Sequence, residues 1–499
     1  MPPEHYTELL ERIGQVKDIH SALSLLSWDQ EIYMPPKAAP SRGKQLATLS
    51  ALAHRLFTDK EVGELLARLS DDTALSPDQS KLIEETQYDY DRATKLPESF
   101  VQKFAEETSK AYEAWVRAKD DSDFAAFQPH LETIIDLSRQ RADLMGYEGS
   151  PYNALLEDYE RGMTAEHIKP LFAQLAERQS DLIQRIAASP NAPDASWLEG
   201  EWERDTQLKF TTSLLHDMGY DLEAGRQDES VHPFTTEFDL YDVRVTTKVN
   251  TQNPFEAIMA SIHEGGHGLY EQGFLAADQR TTLAEAISLG IHESQSRLWE
   301  TFIGQSRPFW NHYGPVFRDA FPEKLKDVSN DDIYRVLNRV QPTLRRLDAD
   351  ECTYNLHIIL RFELEVALIE GDAKVADIPE LWKTKMKDYL GLDVPDDAHG
   401  CLQDIHWSHG SLGYFPTYTL GNLYAAQLLE KIAQDLPNLW DEIGAGQFGS
   451  LLTWLRKNIH QVGRRKLPTQ LIQDITGKAP SSEPYLNYLE KKYSELYNL

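Results

Sequence analysis

Hydrophobic residues recur at helical spacing along most of the chain, and this pattern predicts a mainly α-helical protein. One apolar stripe follows Pro97 and runs from Phe100 to Trp115. Comparable stripes lie near residues 8–33, 42–57, 164–188, 201–217, 350–371 and 416–434. We expect each stripe to bury one face of a helix in a core.

A different pattern covers residues 234–249, where Thr, Val, Phe and Tyr alternate with polar residues. A period of two is typical of a half-buried strand, so this stretch predicts one β-hairpin with Asp239 or Asp242 near its turn. The chain has no repeat or flexible linker, and its 499 residues exceed one compact hydrophobic unit. We therefore expect two lobes of wrapped helices.

Composition narrows the possible partners. The chain carries 50 basic and 80 acidic residues, a formal charge of −30. Nucleic acids and anionic membranes require basic patches, so we expect neither as a partner. No signal-peptide core and no membrane span are present in the sequence. Cys352 and Cys401 are expected to stay reduced, as in a cytoplasmic protein.

The sequence HEGGH at residues 263–267 predicts a metal centre. Asn253 is a suitable N-cap and Pro254 suits the first helical position, so the motif lies on a predicted helix. Residues four apart share a helix face, which lets His263 and His267 bind one Zn²⁺ with Glu264 beside the open position. Co²⁺ or Mn²⁺ are alternative metals. Three nearby glycines suggest that another segment approaches this helix closely.

A third ligand must come from elsewhere in the chain. Glu271 lies eight residues from His263, roughly 12 Å along one helix, too far for both to bind one ion. Asp278, Glu285 and Glu293 remain, and spacing does not choose between them. Glu293 lies in a segment that continues helically and can fold back towards the metal.

Five ordered motifs resemble those of the M32 family of metallocarboxypeptidases, the carboxypeptidase Taq type. They are HPF at 232–234, DVRVT at 242–246, HEGGH at 263–267, HESQ at 292–295 and GCLQDIHW at 400–407. A sixth family motif, Ile-Arg-x-x-Ala-Asp, appears as RRLDAD at 345–350, so Arg345 replaces the isoleucine and Arg346 is kept. The resemblance covers essentially the whole chain.

The resemblance implies a single catalytic unit over residues 1–499. Its expected fold is a large two-lobed helical metallopeptidase with a deep groove and one small antiparallel sheet near the active site. It implies a homodimeric zinc carboxypeptidase that removes single C-terminal residues from peptides with broad specificity. Glu293 is then the third ligand, and Glu264 is the general base that takes a proton from the metal-bound water.

Further site residues follow from the later motifs. His406, Tyr414 and Tyr418 lie in or just after a glycine-bearing loop and are candidates to stabilise the oxyanion. Arg346 is expected to bind the free C-terminal carboxylate, because a planar guanidinium matches that group. Arg244 is the second choice, with an ion pair to a neighbouring acid as its alternative role. The resemblance adds His232 as a substrate-binding residue.

Three other functions are compatible with parts of the sequence. A helical zinc endo-oligopeptidase and a peptidyl-dipeptidase share the metal motif with a carboxypeptidase. The three enzymes differ in whether the groove is blocked one residue beyond the scissile bond. A non-catalytic helical peptide-binding protein would use the groove without hydrolysis. The presence of Glu264 argues against that role, because a binding protein has no need of a general base.

Overall fold

The structure, a computed structural model, describes residues 4–499. Helices account for 68% of the chain, which confirms the predicted mainly α class. The α-helices are α1 Glu4–Ile32, α2 Ala39–Phe57, α3 Lys60–Leu69, α4 Pro77–Lys95, α5 Glu98–Asp121, α6 Phe124–Met145, α7 Tyr152–Leu156, α8 Ala165–Ala188, α9 Arg204–Met218, α10 Pro254–Glu271, α11 Leu289–Arg297, α12 Arg307–Ala320, α13 Pro322–Leu325, α14 Asn330–Leu337, α15 Tyr354–Glu370, α16 Ile378–Leu390, α17 Pro416–Asp435, α18 Leu439–Gly444, α19 Gly449–Asn458, α20 Pro468–Thr476 and α21 Glu483–Tyr497. Shorter 3₁₀ turns are Pro36–Ala38, Ser196–Leu198, Ala276–Asp278, Arg346–Asp348, Val375–Asp377 and His460–Arg465.

One small sheet lies beside the helices. Its strands β1 (Gly225–Glu229), β2 (Thr235–Asp239) and β3 (Asp242–Thr247) are ordered β1-β3-β2. β2 and β3 form the predicted hairpin, and its turn lies between Asp239 and Asp242. The prediction of an antiparallel sheet was wrong in one respect, because β1 pairs with β3 in parallel. β1 reads Gly-Arg-Gln-Asp-Glu and lacks the apolar alternation that would have predicted a strand.

The core consists mainly of one large cluster of apolar side chains that extends from α5 to α21. A smaller cluster joins α1, α3 and α4. All the predicted stripes fall on helices, but two are less buried than expected. Ala53 is the buried residue of α2, and Val101 and Tyr112 of α5 are exposed. These two helices pack mainly against one neighbour each, α1 or α6, so much of their surface faces solvent.

Two other expectations concern the chain as a whole. Within residues 4–499, no helix is both long and apolar enough to cross a membrane. Cys352 and Cys401 are free and buried, as expected for reduced cysteines. The division into two lobes around a groove stays a prediction.

Candidate active site

Helix α10 begins as the sequence predicts. Asn253 Oδ1 accepts a hydrogen bond from Phe255 N at 3.2 Å, and Pro254 occupies the first turn. This start places His263 and His267 one turn apart on α10, with their rings 4.9 Å apart. Local sequence signals therefore suffice to build the first half of the metal centre.

Helix α11 carries Glu293 and packs directly on α10. A Cβ atom at Gly266 would lie 2.7 Å from Ser296 Cα, so only glycine permits this approach of the two backbones. On the opposite side, a Cβ at Gly421 of α17 would lie 2.5 Å from Glu293 Cγ. Gly266 thus permits the close packing of α11 on α10, and Gly421 makes the space that Glu293 occupies.

His263, His267 and Glu293 converge. Glu293 Oε2 lies 3.6 Å from His263 Nε2 and 3.5 Å from His267 Nε2, and the three ligand atoms are all within 4.8 Å of one another. In a tetrahedral site with bonds of about 2.0–2.2 Å, neighbouring ligand atoms are roughly 3.4 Å apart. The cluster therefore fits one metal ion and leaves a fourth position for water. Two imidazoles and a carboxylate suit Zn²⁺ and other divalent transition metals.

A second layer of side chains orients these ligands. Glu300 Oε2 lies 2.7 Å from His263 Nδ1, which directs Nε2 of that ring towards the cluster. Arg297 Nε donates to Glu293 Oε1 at 2.7 Å, and Arg297 Nη1 donates to Glu300 Oε2 at 3.2 Å. Despite burial, the charges of Arg297 and His263 hold the pKa of Glu293 well below its usual range. By contrast, His267 Nδ1 has no hydrogen-bond partner within residues 4–499.

Glu264 is buried between the two histidines and is anchored by the hairpin. Thr235 Oγ1 of β2 donates to Glu264 Oε2 at 2.7 Å. Burial raises the pKa of Glu264 above its ordinary value. A carboxylate with one oxygen anchored and a raised pKa is suited to accept a proton from a water molecule.

The three candidate oxyanion donors form one aromatic cluster. The ring of Tyr414 lies 5.3 Å from that of His406 and 5.4 Å from that of Tyr418. Burial raises the pKa of both tyrosines above the ordinary value. Burial lowers the pKa of His406 to about 4, which keeps its ring neutral at pH 7.

The loop that carries His406 and Tyr414 is held by a buried acid of α15. Glu365 accepts hydrogen bonds from Tyr152 Oη at 2.7 Å, Trp407 Nε1 at 2.8 Å and Gly413 N at 3.0 Å. Burial raises the pKa of Glu365 to about 7. One carboxyl group thus ties both ends of the loop to the helical core.

Arg346 lies in a group of two arginines and one acid. Its Nε and Nη2 donate to Asp404 Oδ1 at 3.2 and 3.0 Å, and its Nη1 donates to Tyr354 Oη at 3.2 Å. Arg361 Nε donates to the other oxygen of Asp404 at 2.7 Å. The group therefore keeps one net positive charge. Arg361 is fully buried, so of these two arginines it is Arg346 that faces a cavity of about 810 Å³.

Two more of the predicted residues line that cavity, whereas the second candidate for the terminal carboxylate does not. His232 and His406 line it together with Arg346. Arg244 does not. Its Nε and Nη2 donate to the two carboxylate oxygens of Asp242, both at 2.8 Å. Its guanidinium packs over the ring of Trp28. Arg244 thus makes the ion pair that was its alternative role.

The acids that spacing left open are held elsewhere. Asp278 accepts two hydrogen bonds from Arg465, and Glu285 pairs with Arg464. Glu271 pairs with His292 at 2.8 Å and is not part of the cluster, as expected from its distance to His263 along α10. Among these acids, Glu293 alone belongs to the metal-ligand cluster.

Sequence reasoning missed the residues that orient the ligands. Arg297 and Glu300 lie four and seven residues after Glu293, so helical spacing could have indicated them. Asp404 lies inside a motif that was already recognised. Thr235 carried no signal, because its contact with Glu264 depends on how the hairpin packs on α10.

A mainly helical fold with two histidines, an acid from the next helix and a buried glutamate defines a metal-dependent hydrolase. Comparison with known families agrees. The model of the carboxypeptidase Taq (M32) metallopeptidase family matches residues 8–493, and the chain belongs to this family.

Individual relatives match over nearly their full length. The chain is 40% identical to thermostable carboxypeptidase 1 of Thermus thermophilus and 38% identical to carboxypeptidase 1 of Bacillus subtilis, covering 99% of both chains in each pair. Among solved structures, an M32 carboxypeptidase from Deinococcus radiodurans R1 is 39% identical, with a TM-score of 0.98 and all of both chains covered.

Proposed function

We propose that this protein is a zinc-dependent carboxypeptidase that removes single C-terminal amino acids from peptides with broad specificity. The observation that carries the proposal is the cluster of His263, His267 and Glu293 beside the buried Glu264. The relatives named carboxypeptidases support the choice of reaction. We also propose the homodimer and the cytoplasmic location that the sequence led us to expect.

The roles of the central residues follow from their positions. His263, His267 and Glu293 would hold the metal, which when bound lowers the pKa of water and polarises a carbonyl group. Glu264 takes a proton from the attacking water and delivers it to the leaving amine. Thr235 anchors one oxygen of that carboxylate, so the other oxygen is available to the water.

The oxyanion needs preorganised donors close to the metal ligands. We assign Tyr414 or Tyr418 to this role, because each phenol O–H can donate to an oxyanion and both rings belong to one cluster with His406. His406 can assist as a neutral N–H donor, since its lowered pKa keeps it uncharged at pH 7. Such donors contribute several kcal/mol when they are held in a dry site.

Arg346 is proposed to bind the terminal carboxylate of the substrate. The net positive charge that it shares with Arg361 and Asp404 favours an anion at this end of the groove. His232 lines the same cavity and is proposed to contact the C-terminal residue. Edge strand β2 can pair with the peptide backbone, which is recognition independent of side chains and supports broad specificity.

One peptide, offered as free acid and as C-terminal amide, tests the proposal. The zinc-loaded protein should convert the free acid into a ladder of products that each lack one more C-terminal residue, read by mass spectrometry. A chelator should stop the reaction, and added zinc should restore it. Rapid internal cleavage of the amide would indicate an endo-oligopeptidase instead, and loss of residues in pairs would indicate a peptidyl-dipeptidase.

A further inference from the structure

A second cavity, of about 460 Å³, lies at the end of β2 that points away from Arg346. α1 forms one wall, and β2 with its turn forms another. Two basic side chains, Lys17 and Arg280, line this cavity. Six acidic side chains also line it, and they are Asp18, Glu237, Asp239, Asp242, Glu271 and Glu285. Acidic side chains thus outnumber basic ones in this cavity, in contrast to the one that holds Arg346.

Most of these acids are already engaged. Four have a basic partner, namely Asp18 with Arg280, Glu285 with Lys17, Asp242 with Arg244 and Glu271 with His292. Asp239 accepts a hydrogen bond from Tyr241 N in the hairpin turn at 2.6 Å. Among the residues described here, the side chain of Glu237 forms no hydrogen bond or ion pair, and burial raises its pKa to about 7. It is the uncommitted carboxylate of this cavity.

β2 places Glu237 in line with the catalytic residues. Thr235 and Glu237 are two apart on one strand, so their side chains share a face, about 7 Å from each other. Thr235 on that face contacts Glu264. Three residues before Thr235, His232 lines the cavity of Arg346. The strand thus leads from the Arg346 cavity, past the general base, to Glu237.

The edge of β2 sets the direction and the extent of peptide pairing. Phe234 O accepts a hydrogen bond from Thr246 N of β3, and Phe234 N donates to Thr246 Oγ1. Backbone N–H and C=O groups alternate in direction along a strand, so those of Thr235 and Glu237 face away from β3. Ser21 Oγ of α1 donates to Phe238 O and closes the edge beyond that point. A peptide whose C-terminus is at Arg346 runs antiparallel to β2 and must leave the edge near Glu237.

We propose that Glu237 is a specificity-determining residue that binds a positively charged group of the substrate on the N-terminal side of the scissile bond. The inference rests on the proposed carboxypeptidase function. A short peptide carries a carboxylate at one end and an ammonium group at the other, which matches the basic and acidic cavities. Two sources supply the cation. One is the free α-ammonium group of a tripeptide, and the other is a Lys or Arg side chain three residues before the cut.

Paired substrates test each source. In the first pair, a neutral tripeptide has a free or an acetylated N-terminus. In the second, an acetylated tetrapeptide begins with Lys or with norleucine, so the charge lies three residues before the cut. For wild type, kcat/KM should be about tenfold higher for the cationic member of at least one pair, since a partly desolvated charge pair strengthens binding.

Variants assign that preference to Glu237. Glu237→Gln should abolish the preference without slowing cleavage of the neutral members, and Glu237→Lys should reverse it. Glu223→Gln is the matched control, because Glu223 is an exposed acid near the sheet that does not line the cavity. Its preference should equal that of wild type.

The outcomes separate this inference from the proposed function. A preference in either pair that Glu237→Gln removes supports the inference and identifies the cation. Equal wild-type rates within both pairs, or a preference that survives Glu237→Gln, overturn it while the carboxypeptidase function stands. If wild type releases no C-terminal residue from any of the four peptides, the proposed function itself fails.

Discussion

Replacing Arg346 separates binding of the terminal carboxylate from the other sources of substrate affinity. A guanidinium carries five N–H donors. In Arg346, two of them donate to Asp404 and one donates to Tyr354, which leaves two donors for a ligand. Two charge-assisted hydrogen bonds in a desolvated groove contribute about 2–4 kcal/mol. Arg346→Ala should therefore lower kcat/KM on a free-acid peptide by about 30- to 1000-fold.

The fold should tolerate this substitution. Asp404 keeps a hydrogen bond from Arg361 Nε at 2.7 Å and an ion-pair contact with Arg361 Nη2 at 2.6 Å, so it is not left as an unpaired buried charge. Thermal unfolding and bound zinc should thus remain close to those of wild type. Arg346→Lys should fall between wild type and the alanine variant, since a lysine keeps the charge but cannot form the planar fork.

Arg345→Ala is the matched control. Arg345 is the preceding residue, lines the same cavity, is exposed and pairs with Asp348 at 3.6 Å. Steady-state kinetics on a free-acid peptide and its C-terminal amide then decide the question. Arg346→Ala should reduce cleavage of the acid and have little further effect on the amide. Equal losses on both substrates, or an equal loss in Arg345→Ala, would refute the assigned role.

Three further predictions follow from the site and its supports. Glu264→Gln should retain zinc, as measured by elemental analysis, while turnover falls about 10²- to 10⁴-fold, and an active variant would exclude Glu264 as the base. Gly266→Ala places a Cβ 2.7 Å from the backbone of α11. Its free energy of unfolding, measured in urea, should be about 1–3 kcal/mol lower than that of wild type. Gly43→Ala is the control and should be neutral or stabilising, because no atom lies within 4 Å of the added Cβ. The pKa of Glu365 is raised from 4.5 to about 7, so the folded state keeps a proton that the unfolded chain releases, and wild-type stability should fall between these pH values by on the order of 3 kcal/mol. Glu365→Gln should lack this decline, and parallel stability–pH curves for the two proteins would contradict the assignment.

Local patterns in the sequence determined the helices and half of the metal centre. Helical spacing dictates that His263 and His267 share a face with Glu264 beside them, whatever packs around α10. The cap at Asn253 likewise depends on neighbouring residues alone. The hairpin of β2 and β3 was predictable for the same reason, since its two strands are consecutive and alternate in polarity.

Family motifs extended the prediction beyond local structure. They selected Glu293 among acids that spacing could not distinguish, and they selected Arg346 over Arg244. In the structure Glu293 lies in the metal-ligand cluster, Arg346 lines a cavity and Arg244 is paired with Asp242.

Only the tertiary structure decided which distant side chains meet. Contact between α10 and α11 depends on the absence of a side chain at Gly266, and the fit of Glu293 depends on Gly421 of α17. The parallel pairing of β1 has no apolar alternation to reveal it. Likewise, the hydrogen bonds and ion pairs of the neighbouring acids depend on tertiary contacts, and only these contacts distinguish Glu237 as the carboxylate without a partner. Such features depend on the packing of segments far apart in sequence, and no local period of the chain encodes that packing.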